Sequence, residues 1–131
     1  MKKLYTVVFI FLLATPGRAG DLPSSFDQAF ALATAQQKER ATQAYLHLDL
    51  MPYYQKKYSP VFQSCLKSTD RPDMSKFTFV AAIGKDGRVL RLYVDRETNL
   101  YACAQRTLQQ DEFPHPPHSP YYLSVTMSFG N

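Results

Sequence analysis

Cys65 and Cys103 are the residues of this 131-residue chain best suited to covalent chemistry. They stand 38 positions apart, so no CxxC redox motif is present. In an exported chain an even cysteine count favours a disulfide over a metal site, with two buried free thiols as the alternative. A bridge requires both segments to touch, with α-carbons about 4.4 to 6.8 Å apart. Chain-entropy arithmetic for such a loop gives roughly 4 kcal/mol as an upper figure. His115 and His118 lie in Pro114-His115-Pro116-Pro117-His118 and could supply two metal ligands. The prolines splay the chain and no third ligand is near, so a rigid, solvated corner is expected. Asp95 with Glu97, or Asp111 with Glu112, could do acid–base work. They flank turns and helix ends in polar sequence, which predicts exposed charges. No serine lies in a nucleophile-elbow motif. These readings predict no catalytic residue, no metal and no cofactor, and a protein that is not an enzyme.

The amino terminus bears on compartment. Lys2 and Lys3 precede an apolar run from Leu4 to Thr15, and Gly17 and Ala19 are small residues placed for cleavage after Ala19. That layout predicts a secretory signal peptide over 1–19, removed on export to the periplasm. An uncleaved anchor would need ~20 apolar residues, and the run breaks at Pro16-Gly17, so no membrane span is expected after cleavage. Without Lys2, Lys3 and Arg18 the fifteen basic residues fall to twelve against eleven acids, and the formal charge drops from +4 to +1. The case for a nucleic-acid partner goes with them. About 110 residues remain, the size of one ordinary domain.

Periodicity supplies the elements that must position these residues. Ser24 and Ser25 can cap a helix whose apolar positions include Phe26, Ala29, Phe30, Ala33, Tyr45 and Leu48, with a break in polar Gln36 to Arg40. Met51, Tyr54, Tyr58, Val61, Phe62, Cys65 and Leu66 trace the face of a second helix, which Ser59 and Pro60 would restart. Phe77, Phe79, Ala81 and Ile83 alternate in a strand, and Leu90, Leu92 and Val94 can meet them across an Asp86-Gly87 turn. Thr98 or Asn99 should cap a helix from Leu100 to about Gln110. In a closing strand, Leu123, Val125, Met127 and Phe129 alternate with Ser124, Thr126 and Ser128. The opposite face, with Thr78, Val80, Ala82, Val89, Arg91 and Tyr93, is either covered by the first helix or kept open. The tyrosines, among them Tyr53, Tyr54, Tyr58, Tyr101, Tyr121 and Tyr122, suit either core or binding surface. The whole reads as α+β: N-terminal helices followed by a small antiparallel sheet in β-β-α-β order.

In this order the chain resembles the carboxy-terminal domain of TonB-type proteins, especially two-cysteine relatives of the AgmX/PglI group. The resemblance spans about Tyr53 to Phe129. It rests on Gly84-Lys85-Asp86-Gly87-Arg88-Val89, the Cys65 and Cys103 pair, the Phe113-Pro114 corner with Pro116 and Pro117, and the closing strand. Together with the leader, it divides the chain into a signal peptide (1–19), an N-terminal helical segment (20–52) and the α+β domain (53–131). It implies a non-catalytic module that binds a segment of an envelope protein by strand addition at a sheet edge. Leu123, Val125, Met127 and Phe129, with Tyr121 and Tyr122, would form that edge, and a proline at Val125 would abolish binding. The long Pro-rich spacer and retained membrane helix of such proteins are missing from the sequence. The alternative is a periplasmic inhibitor or immunity protein, whose Pro/His corner and Tyr121-Tyr122 pair would plug a toxin or cell-wall hydrolase.

Overall fold

The computed structural model describes residues 21–129, and the predicted leader with its cleavage point lies outside them. Ser25 caps the first helix, α1 (Phe26–Gln37), its hydroxyl accepting from the Gln28 amide at 3.2 Å. The polar stretch after it breaks the helix: Glu39 is extended, and α2 (Arg40–Ala44) starts afresh. From there the chain runs through a π-helical turn (Tyr45–Leu50) into α3 (Met51–Ser68). A π turn adds a residue to the helical ladder and rotates the inward face. Leu46 and Leu50 are therefore buried, while Leu48, which regular spacing places inside, is 74% exposed.

The restart expected at Ser59-Pro60 does not occur, because α3 continues through Pro60. Proline there removes the donor for the Lys56 carbonyl. Lys56 and Pro60 are both exposed, so that group faces water rather than the core. On the opposite side Tyr54, Tyr58, Phe62 and Cys65 are buried and hold both halves of the helix to one surface.

β1 (Phe77–Ile83), β2 (Val89–Val94) and β3 (Tyr121–Met127) form an antiparallel sheet in the order β2-β1-β3, with α4 (Asn99–Gln110) between the last two in sequence. The fold is α+β. Thr98 caps α4, accepting from the Tyr101 amide. Phe77, Phe79, Ala81 and Ile83, with Tyr121, Leu123 and Val125, share the main core with Tyr54, Tyr58 and Phe62 of α3 and Leu100, Tyr101 and Leu108 of α4. Val80, Ala82, Tyr93 and Tyr122 meet Ala29 and Ala33 of α1 in a second cluster. The middle of the sheet's far face is thus covered, with Arg91 and Thr126 left exposed beside it, and every residue of β1 is buried. Cys65 and Cys103 are bonded with α-carbons 5.9 Å apart, joining α3 to α4 as parity predicts.

At the β1–β2 turn Gly87 takes φ 84°, and a β-carbon there would lie 2.0 Å from the Phe113 carbonyl oxygen. Only glycine fits. The Gly87 carbonyl accepts from the Phe113 amide at 2.8 Å, which docks the Pro-rich corner on the hairpin. The register slips between Ala82 and Ile83, so Ile83 faces Val89. Val89 consequently joins the core, and Leu90, expected there, is 41% exposed. Among the described residues no helix is long and apolar enough to cross a membrane.

Candidate functional site

β3 is an outer strand, paired with β1 on one side only. The Tyr122 amide points away from β1 and donates to Gln36 Oε1 at 2.7 Å. Alternation in an antiparallel ladder then puts the amides and carbonyls of Ser124 and Thr126 on the same outer side. Among the described residues nothing pairs with those groups. From Tyr121 to Phe129 no residue is charged and none is proline, whereas β2, the opposite outer strand, carries exposed Arg91 and follows exposed Arg88. Charges and prolines are the usual protection of an exposed strand edge. The β3 edge has neither.

The residues expected to bind a partner are divided by this geometry. Tyr121, Leu123 and Val125 bury their side chains in the main core, and Met127 packs against it. Phe129 continues the same row, its ring 6.3 Å from Phe62 and 6.1 Å from Phe77. Tyr122 is buried against α1. The pair Tyr121-Tyr122 therefore has no side chain to offer as a plug. What β3 leaves accessible is backbone, with the side chains of Thr126 and, in part, Ser124. Val125 directs its amide at β1, so proline there would break the sheet and not merely its edge. His115 and His118 are exposed, and no group of three or more His, Cys, Asp or Glu side chains is gathered among the described residues.

Asp111 corrects the sequence reading. Expected to be exposed, it is 3% exposed. α4 ends at Gln110, and the extended backbone of Asp111 turns its carboxylate back onto α3. Oδ1 accepts from the Tyr53 hydroxyl at 2.5 Å and from Lys57 Nζ at 2.7 Å, and Oδ2 accepts from the Tyr58 hydroxyl at 2.7 Å. Tyr53 and Lys57 lie one helical turn apart, and Tyr58 reaches the carboxylate from the buried side of α3. Burial alone would raise the Asp111 pKa, but the bonds from Lys57, Tyr53 and Tyr58 outweigh it and hold the carboxyl below its ordinary value. The same contacts raise Lys57, chiefly through its hydrogen bond to Asp111. Burial, then the bond to Asp111, raises Tyr58. A carboxylate held ionised, with both oxygens engaged, is a clamp between α3 and the end of α4 rather than a proton acceptor for a substrate. No local signal in the sequence marks it, because its partners stand 53 to 58 positions away. Glu112 is exposed as expected and meets Arg88 at 3.4 Å.

Comparison of the chain with protein-family models, with curated proteins and with solved structures finds no match.

Proposed function

We propose that this protein is a non-catalytic periplasmic binding module that docks an extended segment of an envelope protein against the outer edge of β3. The observation that carries the proposal is the uncharged β3 edge with outward amides and carbonyls at Ser124 and Thr126. Strand addition draws affinity from main-chain hydrogen bonds, so a partner needs no pocket and the strand can keep its apolar side chains in the core. The leader-like amino terminus supports an envelope location. The resemblance to TonB-type carboxy-terminal domains supports the mode of binding as fold-level analogy. The disulfide and the Asp111 clamp, which fasten α3 and α4 under the sheet, would keep the edge rigid and lower the ordering cost of docking.

Ser124→Pro tests the proposal. Its amide faces outward, so proline removes an edge donor without touching the β1 ladder. Mature native protein should retain an envelope protein from periplasmic extract that Ser124→Pro, folded by its melting curve, fails to retain. Equal recovery by both refutes docking at β3. Capture of one toxin or cell-wall hydrolase, with its activity blocked, would replace docking by inhibition.

A further inference from the structure

We infer that Gln36 is the register stop of the β3 edge, a positioning residue that confines an incoming strand to Ser124–Met127. The inference rests on the docking reading above. Gln36 is the penultimate residue of α1, and its side chain crosses to the outer side of β3. Nε2 donates to the Pro120 carbonyl at 3.1 Å, while Oε1 accepts from the Tyr122 amide at 2.7 Å. A carboxamide carries the donor and acceptor of a peptide group. Here it occupies the place that a fourth strand's peptide group would take at the start of β3.

The residue is braced from behind. Its own carbonyl accepts from the Thr42 hydroxyl at 2.7 Å and from the Glu39 amide at 3.1 Å, and Thr42 is fully buried. These bonds fix the end of α1 from which the carboxamide reaches the strand. The edge is therefore closed at Tyr122 by the protein itself and open at Ser124 and Thr126.

A stop answers a physical need of this edge. The outward-amide positions Tyr122, Ser124 and Thr126 are all uncharged, and two of them are small hydroxyl residues. A slip of two residues keeps every side chain on its face, so such a strip specifies register weakly. Blocking one end removes the slipped registers that extend toward Pro120. The occupant that fits is an extended protein segment with uncharged residues along the paired stretch, because a charge there would meet no counter-charge between Tyr121 and Phe129.

The test is residue-resolved amide exchange on oxidised mature protein, alone and with a peptide copying Tyr121–Phe129 that bears a triple-lysine tail for solubility. In the free native protein, Tyr122 should exchange at least tenfold more slowly than Ser124 and Thr126. The peptide should slow exchange at Ser124 and Thr126 and leave Tyr122 unchanged. In Gln36→Ala, and in Gln36→Met, which keeps the side-chain bulk under α1, Tyr122 should exchange at least tenfold faster, and the peptide should then protect it too. A Tyr122 amide as labile as Ser124 in native protein, or unmoved by both substitutions, overturns the stop. Failure of the peptide to protect Ser124 and Thr126 in any variant refutes edge docking itself, whatever Gln36 does in the free protein.

Discussion

Removing the Asp111 carboxylate should cost several kcal/mol of stability, because it leaves buried donors without an acceptor. In Asp111→Ala three donors lose their acceptor together. Hydrogen bonds to a charged group contribute about 1.5–3 kcal/mol each, and the Tyr58 hydroxyl cannot turn to water because Tyr58 is only 1% exposed. The Lys57 side chain is 39% exposed and rehydrates, so its ion pair adds roughly 0–1 kcal/mol. The two phenols dominate, and the sum is about 3–7 kcal/mol. With a urea slope of about 1–2 kcal/mol per molar, the unfolding midpoint should fall by about 1.5 M or more. Asp111→Asn keeps the shape and one acceptor oxygen and should lose less. The folded carboxyl titrates below its unfolded value of about 3.9, so its contribution is complete above that value and disappears as pH falls through the folded pKa. Urea midpoints measured from pH 7 down to pH 2.5 should drop more steeply for the native protein than for Asp111→Asn. A loss below about 1 kcal/mol in Asp111→Ala at pH 7, or identical pH profiles, would refute the clamp.

Three further outcomes are expected. Replacing both cysteines by serine should lower stability by up to about 4 kcal/mol, read as a reduced urea midpoint that dithiothreitol no longer changes. Gly87→Ala should destabilise by about 2 kcal/mol or more, since alanine meets both the positive φ and the Phe113 carbonyl; an unchanged melting temperature would mean that the Pro-rich corner is not seated on the hairpin. Tyr121→Phe removes a buried hydroxyl with no hydrogen-bond partner among the described residues and should leave stability unchanged or raise it by about 1 kcal/mol, whereas a clear loss in calorimetry would show that the group is satisfied in solution.

The contrast between Phe77 and Asp111 shows what could be read in advance. β1 and β3 were legible because two-residue alternation places each side chain on one face whatever lies beyond it. An even cysteine count favoured a disulfide over two free thiols, and the bond between Cys65 and Cys103 decides between them. Leu48 was misplaced because a π turn is a local change of ladder that hydrophobic spacing does not announce. Pro60 was misjudged because a missing hydrogen bond on a solvated face costs less than breaking a helix held by four buried side chains. Asp111 was missed because its polar neighbours in sequence are not its neighbours in space.

By itself the sequence determined the α+β class, the β-β-α-β order of the later elements and the apolar row of β3, because these depend on local periodicity and on composition. Only the tertiary structure decided that α1 covers the middle of the sheet's far face, that the β3 edge is open past Tyr122, and that Asp111 is shared by Tyr53, Lys57 and Tyr58. Those outcomes depend on contacts between residues about fifty or more positions apart. A local pattern states which way a side chain points along its own element. Which group it meets depends on how the helices close over the sheet.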